Sequence, residues 1–177
     1  MKKIYCIRHC SAQGQEAEAP LTEEGMKQAR MLATYMEKYD IEAILSSPFL
    51  RAQQTISPLA EAQNLTVELD NRLAERVLAG KDLPDWRDHL EHSFKDEHAV
   101  LPGGESSFQA SQRALALIEE LQKRKENTFV LVTHGNLMAL IIRAFDSSAG
   151  FHTWKKLTNP DVFSIELNTR CVRRLWV

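Results

Sequence analysis

Short apolar segments alternate with longer amphipathic segments along most of this 177-residue chain, and this alternation limits the possible folds more than any other feature of the sequence. The most apolar of the short segments, residues 128–132 (TFVLV), has the composition of a strand that is buried on both faces. Strands that are separated by helices usually form a parallel sheet, because each helix returns the chain to the edge where the next strand begins. The sequence therefore predicts an α/β domain with a mainly parallel central sheet.

The boundaries of the predicted elements follow from hydrophobic periodicity and from capping residues, glycines and prolines. We predict strands at residues 2–7, 41–45, 65–69, 128–132, 161–167 and 170–176. The connection between the last two strands, Asn168-Thr169, is short enough for a hairpin. We predict helices at residues 22–39, 49–63, 84–92, 107–125 and 137–145.

The first predicted helix begins with a clear N-terminal signal. Thr22 is suited to the N-cap position, and Glu23 and Glu24 follow it at the positive end of the helix dipole. Gly25 is unusual there, because a glycine inside a helix costs about 1 kcal/mol relative to alanine. We therefore predict that Gly25 packs closely against another stretch of backbone.

The bulk composition excludes several classes of protein. The net charge of -2 and the pI near 6.3 argue against a nucleic-acid partner. No apolar run approaches the roughly 20 residues that a membrane span requires, and the N-terminus (MKKIYCIRH) lacks the apolar segment of a signal peptide. The cysteines, Cys6, Cys10 and Cys171, are odd in number and scattered, which is typical of reduced thiols. We therefore predict a single cytoplasmic domain without membrane contact.

Polar residues stand directly after several of the predicted strands. Arg8 and His9 follow the first strand, and Arg51, Glu75 and His134 lie just beyond the ends of later strands. Ligands of α/β proteins bind beyond the carboxyl ends of the strands, so these side chains are expected to converge. The convergence predicts a site for a phosphoryl group.

Each of these residue types suits a different part of phosphoryl chemistry. Guanidinium groups bind phosphoryl oxygens in a planar, bidentate way and stabilise the transition state. A neutral histidine can attack phosphorus and carry the phosphoryl group covalently. A carboxylic acid can protonate the leaving oxygen, which contributes about 10²–10⁴-fold to the rate.

Short motifs along nearly the whole chain resemble those of the histidine phosphatase superfamily, also called the phosphoglycerate-mutase-like family. Arg8-His9-Cys10 resembles its Arg-His-Gly motif, and residues 104–106 and 132–135 are similar to its later signatures. Residues 21–29 are similar to its L-T-x-x-G-x-x-Q-A segment, and residues 46–55 (SSPFLRAQQT) are similar to its S-S-x-x-x-R-A-x-Q-T segment.

The resemblance implies a fold and a set of roles. The fold is a three-layer α/β/α sandwich formed by residues 1–177 as one domain, with a variable cap at about 76–104. His9 is the implied nucleophile, Arg8, Arg51 and His134 form the phosphate pocket with it, and Glu75 is the proton donor. The implied function is hydrolysis of a small phosphomonoester through a phosphohistidine. No metal or other cofactor is required, because the arginines neutralise the phosphoryl charge.

Several assignments remain open at this level. Glu105 could replace Glu75 as the acid, and Ser11, Gln13 and Asn136 could line the pocket. Cys10 stands where the family usually has glycine. Either the backbone there tolerates a small side chain, or the thiol is redox-sensitive because the neighbouring Arg8 lowers its pKa.

Alternative functions differ in how well the sequence supports them. A cysteine phosphatase loop is excluded, because Glu16 stands at the position where its arginine is needed. A metal site at His89, His92 and His98 is geometrically conceivable, as is a phospho-ligand binding protein with weak turnover.

A cofactor-dependent phosphoglycerate mutase is disfavoured, because residues 77–80 lack the aromatic residue of that group and the cap is short and acidic. The sequence leaves the oligomeric state open, although the last segment could be an edge strand that pairs between chains.

Overall fold

Six strands form one sheet within residues 1–176, the part of the chain that the computed structural model describes. In chain order they are β1 (Lys3–Arg8), β2 (Ala43–Ser46), β3 (Val67–Leu69), β4 (Thr128–Thr133), β5 (Asp161–Glu166) and β6 (Cys171–Arg174). Their order across the sheet is β3-β2-β4-β1-β5-β6. The first four are parallel, whereas β5 is antiparallel to β1 and β6 is antiparallel to β5. The predicted mainly parallel sheet and the predicted final hairpin are both confirmed, and β6 lies at an edge of the sheet.

Helices connect most of the strands. They are α1 (Glu23–Met36), α2 (Leu50–Gln63), α3 (Trp86–Lys95), α4 (Ser107–Lys123), α5 (Gly135–Phe145) and α6 (Phe151–Lys156). The sequence analysis missed α6, because a helix of 6 residues is too short to show a helical period. In the described part of the chain, no helix has the length and apolar character needed to cross a membrane.

The helices cover both faces of the sheet, and the alternation of side chains along each strand explains how. Tyr5 and Ile7 of β1 pack on the side of α1 and α2, in one apolar cluster. Ile4 and Cys6 point the other way, into the cluster that contains α4 and α5. Every strand near the centre of the sheet is therefore buried on both faces, and the implied three-layer α/β/α arrangement is confirmed.

The loop that follows β1 is held in place by side chains from the first two helices. The amide oxygen of Gln28 accepts a hydrogen bond from the Ser11 N–H at 2.9 Å. In α2, Thr55 Oγ1 accepts from the Cys10 N–H at 2.9 Å, and Gln54 accepts from the Leu21 N–H at 2.8 Å. These motif residues fix the backbone just after His9, which explains why the motif contains polar residues on otherwise buried helix faces.

Gly25 lies where α1 meets this loop. The Thr22 side chain caps α1 by accepting a hydrogen bond from the Gly25 N–H at 2.9 Å. A Cβ atom at position 25 would lie 2.1 Å from the carbonyl oxygen of Ser11. The predicted close approach of another backbone is confirmed, and it excludes any side chain at this position.

Residues 76–104 are anchored to the rest of the domain at their base. The Glu105 N–H donates to the Val77 carbonyl at 2.8 Å, so the two ends of the segment lie side by side. Arg76 is buried there, and it donates to the Ser93 hydroxyl at 2.7 Å and to the Glu105 carbonyl at 3.1 Å. The arginine therefore ties α3 to the base of the segment.

Candidate active site

The carboxyl ends of β1, β2 and β4 lie next to one another, because β4 lies between β1 and β2 and pairs with both in parallel. A cavity of about 240 Å³ opens at this edge of the sheet. Parallel sheets commonly bind ligands at such an edge. The lining residues are Arg8, His9, Ser11, Ala12, Gln15, Arg51, Glu75, Gly135 and Asn159.

The ring of His9 is held in one orientation and one protonation state. Its Nδ1 lies 2.7 Å from the Cys10 carbonyl oxygen, which can only accept, so Nδ1 carries the proton. Nε2 is consequently unprotonated, and its lone pair accepts a hydrogen bond from the Arg51 Nε–H at 3.3 Å. Burial lowers the pKa of His9 to about 4, and the positive charges of Arg51 and Arg8 act in the same direction. His9 is therefore a neutral imidazole near pH 7, the form in which a histidine acts as a nucleophile.

Asn159 holds the backbone of His9 from the opposite side. Its side-chain amide donates to the His9 carbonyl at 2.8 Å, and the residue lines the cavity. Sequence reasoning missed Asn159, since an asparagine in a loop before a strand has no distinguishing spacing. Only the packing of β5 against β1 brings it to His9.

Two guanidinium groups, the buried one of Arg51 and the partly buried one of Arg8, line the cavity. Arg51 is only 1% exposed, and its Nη1 donates to the carbonyl oxygen of Glu16 at 2.8 Å. The Nη1 of Arg8 donates to the Leu157 carbonyl at 3.2 Å, whereas its buried Nε has no partner among residues 1–176. Burial lowers the pKa of both arginines, and the nearby Glu75 carboxylate opposes this effect. Both remain cations at neutral pH, as arginines do in proteins.

Gly135 lies close to the Arg8 guanidinium group. A Cβ atom there would lie 3.1 Å from three atoms of the Arg8 guanidinium group. That distance is tighter than an ordinary van der Waals contact, so a side chain at position 135 would push the guanidinium aside. The first residue of α5 thus leaves space for the phosphate-binding arginine implied by the sequence.

Glu75 is oriented by the start of α5. One carboxylate oxygen accepts from the Leu137 N–H at 2.9 Å and from the Arg76 N–H at 2.8 Å, and the other accepts from the Asn136 N–H at 3.0 Å. Helix N-termini favour such carboxylates. Glu105, the alternative acid, is instead paired with Arg113 at 2.6 Å and does not line the cavity. The geometry favours Glu75 over Glu105 as the group that meets a ligand.

His134 lies next to His9. Its ring meets the His9 ring edge-on, with 5.1 Å between the centroids, and it is 1% exposed. Nε2 of His134 is 2.8 Å from the Ser47 hydroxyl. Burial keeps the pKa of His134 well below its ordinary value, and His9, Arg51 and Arg8 add to the effect. His134 is therefore a second neutral imidazole, which contacts the His9 ring but is not itself among the residues that line the cavity.

The other residues that the sequence suggested for binding are placed differently. Ser11 lines the cavity. Gln13 does not, because its exposed side chain turns to the Leu21 carbonyl at 3.4 Å. Asn136 contributes its backbone N–H to Glu75, but its side chain is not part of the lining. Sequence reasoning missed Ala12 and Gln15, which come from the irregular loop after β1.

Cys10 is a core residue. Its side chain is fully buried against Leu21 and Ala29, and its φ lies outside the left-handed region that would require glycine. Burial raises the pKa of the Cys10 thiol to about 12, although Thr55 opposes the shift. The lowered pKa on which the hypothesis of a redox-sensitive thiol rested is therefore wrong, because burial disfavours the thiolate.

The histidines of residues 84–98 do not form a metal centre. Nε2 of His89 lies 3.1 Å from an Asp85 carboxylate oxygen, and the ring of His98 packs on Phe108 with 4.7 Å between the centroids. Throughout residues 1–176, no three side chains of histidine, cysteine, aspartate or glutamate are grouped closely enough to hold a metal ion. The alternative of a metal site at these histidines is not supported.

Fold and site together define a class of protein. A mainly parallel α/β/α sandwich here carries a neutral histidine between two arginines, with a carboxylate in the same cavity. The chain matches the family model of the histidine phosphatase superfamily (branch 1) over residues 4–172. It belongs to this superfamily, and the resemblance seen in its motifs is confirmed.

Relatives within the superfamily carry two kinds of name. The chain is 29% identical to phosphoserine phosphatase 1 of Hydrogenobacter thermophilus, with 76% of this chain and 71% of the relative covered. It is 30% identical to the probable phosphoglycerate mutase GpmB of Yersinia pestis, with 80% of this chain and 74% of the relative covered. The family is thus established, whereas the relatives include both a phosphatase and a probable mutase.

Solved structures share the fold over nearly the full chain. YhfR of Bacillus stearothermophilus superposes with a TM-score of 0.81 at 24% identity, covering 99% of this chain and 96% of that one. The mycobacterial glucosyl-3-phosphoglycerate phosphatase in complex with inorganic phosphate superposes with a TM-score of 0.78 at 24% identity, covering 100% of this chain and 96% of that one. At this level of identity, the likeness concerns the fold.

Proposed function

We propose that the protein is a phosphatase that hydrolyses small phosphomonoesters through a phosphohistidine intermediate on His9. The observation that carries the proposal is the convergence of the neutral His9 ring, two arginines and Glu75 on one cavity of about 240 Å³. The lone pair of His9 Nε2 supplies the nucleophile. The arginines supply the charge that a metal ion supplies in other phosphatases.

In the first step, His9 Nε2 attacks phosphorus, and the bond between phosphorus and the leaving alcohol oxygen breaks. The electron pair of that bond goes to the leaving oxygen, which takes a proton from the Glu75 carboxylic acid. The Arg51 Nε–H, which donates to Nε2 before the reaction, moves its hydrogen bond to a phosphoryl oxygen. The products of the step are the free alcohol, phosphohistidine and the Glu75 carboxylate.

In the second step, a water molecule attacks phosphorus on the phosphohistidine. The Glu75 carboxylate takes a proton from that water, and the bond between Nε2 and phosphorus breaks as the electron pair returns to His9. Inorganic phosphate leaves, with His9 again neutral and Glu75 again protonated. Glu75 suits both steps, because three backbone N–H groups hold its carboxylate in one place.

A mutase is the second candidate, since a probable mutase is among the relatives. A mutase must bind the second anionic group of a phosphoglycerate. The cavity offers no cation besides Arg8 and Arg51 among the residues that the structure describes. Arg76, the cation next to Glu75, is turned away from the cavity to Ser93 and Glu105. These placements favour hydrolysis over phosphoryl transfer within a phosphoglycerate.

The proposal is tested by following phosphate release and isomerisation side by side. We expect the purified protein, treated with a chelator, to release phosphate from p-nitrophenyl phosphate and from members of a panel of phosphorylated metabolites. Isomerisation of 3-phosphoglycerate, measured in the same preparation, should be slower than phosphate release. Faster isomerisation would assign a mutase, and phosphate binding without any turnover would assign a binding protein.

The pH dependence should report the neutral state of His9. Because burial lowers the pKa of His9 to about 4, the ring loses its nucleophilic lone pair only as the pH falls through about 4. We therefore expect the acidic limb of kcat/KM to lie near pH 4, after correction for the ionisation of the substrate. A phosphate-release profile between pH 3.5 and 8, in a series of buffers at constant ionic strength, measures it. A limb at the ordinary histidine value of 6.5 would contradict the inferred environment.

A further inference from the structure

Ser47 is a fully buried hydroxyl residue that contacts the second histidine of the site. It follows β2 directly, and His134 follows the neighbouring parallel strand β4, so the two residues emerge at the same edge of the sheet. The Ser47 Oγ and His134 Nε2 atoms are 2.8 Å apart. Neither Ser47 nor His134 is among the residues that line the cavity, so any effect of Ser47 on a ligand would act through the His134 ring, which contacts the His9 ring.

The direction of this hydrogen bond follows from the other partners of Ser47. Its Oγ already accepts from the Phe49 N–H at 3.2 Å. Among residues 1–176, the ring of His134 is the one acceptor within hydrogen-bond distance of the Ser47 hydroxyl proton. The Ser47 O–H therefore donates to His134 Nε2. Since the low pKa of His134 keeps its ring neutral, its single proton must then lie on Nδ1.

The Nδ1 atom of His134 is buried and has no hydrogen-bond partner in the part of the chain that the structure describes. A buried donor without a partner is destabilising, and a ligand that brings an acceptor to this position would remove that cost. A phosphoryl group on His9 would bring anionic oxygens to this ring, which meets the His9 ring at 5.1 Å.

We propose that Ser47 is a positioning residue that holds His134 as the Nδ1–H tautomer, so that Nδ1–H donates to an oxygen of the phosphoryl group. The inference rests on the proposed function and deepens it. The other tautomer would direct a lone pair at Nδ1 toward those oxygens, and the two would repel each other. Ser47 thereby lets a neutral histidine act as a donor without adding a positive charge to a site that already holds the cations of Arg8 and Arg51.

The tautomer can be measured without any assay of turnover. In the wild-type protein labelled with ¹⁵N-histidine, we expect the His134 signals to show a protonated Nδ1 and an unprotonated Nε2, with and without inorganic phosphate. Comparison with the spectrum of a His134→Gln variant assigns the signals. In Ser47→Ala we expect this preference to be lost, because nothing then donates to Nε2.

Kinetics provide the second measurement, with a matched control next to Ser47 in the chain. Ser46 is also fully buried, but its hydroxyl donates to the Ser47 carbonyl at 2.9 Å and not to the ring. We expect Ser47→Ala to lower kcat/KM by roughly tenfold, the cost of one hydrogen bond. Ser46→Ala should keep the wild-type value, and Ser47→Ala should have little further effect in a His134→Gln background.

Two outcomes would overturn the proposal. One is a wild-type spectrum with the His134 proton on Nε2. The other is a loss in Ser47→Ala no larger than that in Ser46→Ala. If Ser47→Ala does not fold, as judged by circular dichroism, the position of the His134 proton in the wild-type spectrum tests the proposal by itself. If the wild type has no phosphatase activity, the proposed function fails, and the spectra with inorganic phosphate still show whether Ser47 sets the tautomer.

Discussion

Replacing His9 with alanine is expected to abolish phosphate release, with a fall in kcat/KM of at least about 10⁴-fold. The reason is that alanine removes the nitrogen lone pair that attacks phosphorus, while the two arginines and Glu75 still surround the cavity. Turnover of p-nitrophenyl phosphate, which needs little help from an acid, measures the loss most directly. Inorganic phosphate should still bind, because its guanidinium ligands remain.

The covalent intermediate supplies a second measurement for His9. Mixing the wild type with a ³²P-labelled substrate and quenching in alkali should trap labelled protein whose label is released by acid, as expected of phosphohistidine. The His9→Ala variant should give none. His152→Ala, which removes an exposed histidine distant in sequence from the strand ends, is the matched control and should behave like the wild type. Label retained in His9→Ala would show that another residue is the nucleophile.

Replacing Glu75 with glutamine should have the second-largest effect, and the effect should depend on the leaving group. For an alkyl phosphate, kcat should fall by about 10²–10⁴-fold, because an alkoxide leaves poorly without a proton. For p-nitrophenyl phosphate, the rate of phosphohistidine formation should fall much less, since nitrophenolate is a stable leaving group. The ratio of single-turnover rates for the two substrates, in variant and wild type, measures the role of the acid.

Glu105→Gln is the control that separates the two candidate acids. This variant breaks the pair with Arg113 and so can lower the unfolding temperature, but it leaves the cavity lining unchanged. We expect its ratio of alkyl to nitrophenyl rates to equal that of the wild type. A leaving-group effect in Glu105→Gln and none in Glu75→Gln would reverse the assignment. Circular dichroism of Glu75→Gln guards against misfolding, because glutamine presents an amide N–H in place of one acceptor oxygen at the start of α5.

The fold was largely predictable because local patterns carry it. The run at 128–132 is apolar at every position but one, and the structure places it as β4 between two other parallel strands. The predicted N-cap at Thr22 and the predicted close backbone approach at Gly25 are also confirmed, since both features leave signals within a few residues of the sequence. The helix α6 was missed for the opposite reason, since 6 residues carry too little periodic information.

Cys10 shows where local reasoning gave the wrong sign. From the sequence, a neighbouring arginine suggested a thiol with a lowered pKa. In the fold, the thiol is buried against Leu21 and Ala29, and burial raises its pKa to about 12. The charge of a neighbour in sequence matters less than the loss of water, and burial depends on residues that the local sequence does not reveal.

The sequence by itself determined the kind of fold and the residues available for chemistry. Parallel strands end at one edge of the sheet, so Arg8, His9 and His134 could be assigned to one place from strand positions alone. Only the tertiary structure decided where each group lies and what it contacts. It removed Glu105 from the cavity, brought Asn159 to the His9 carbonyl and set Ser47 against His134. Hydrogen bonds and desolvation act over a few ångströms between residues far apart in the chain, and that proximity exists only once the chain has folded.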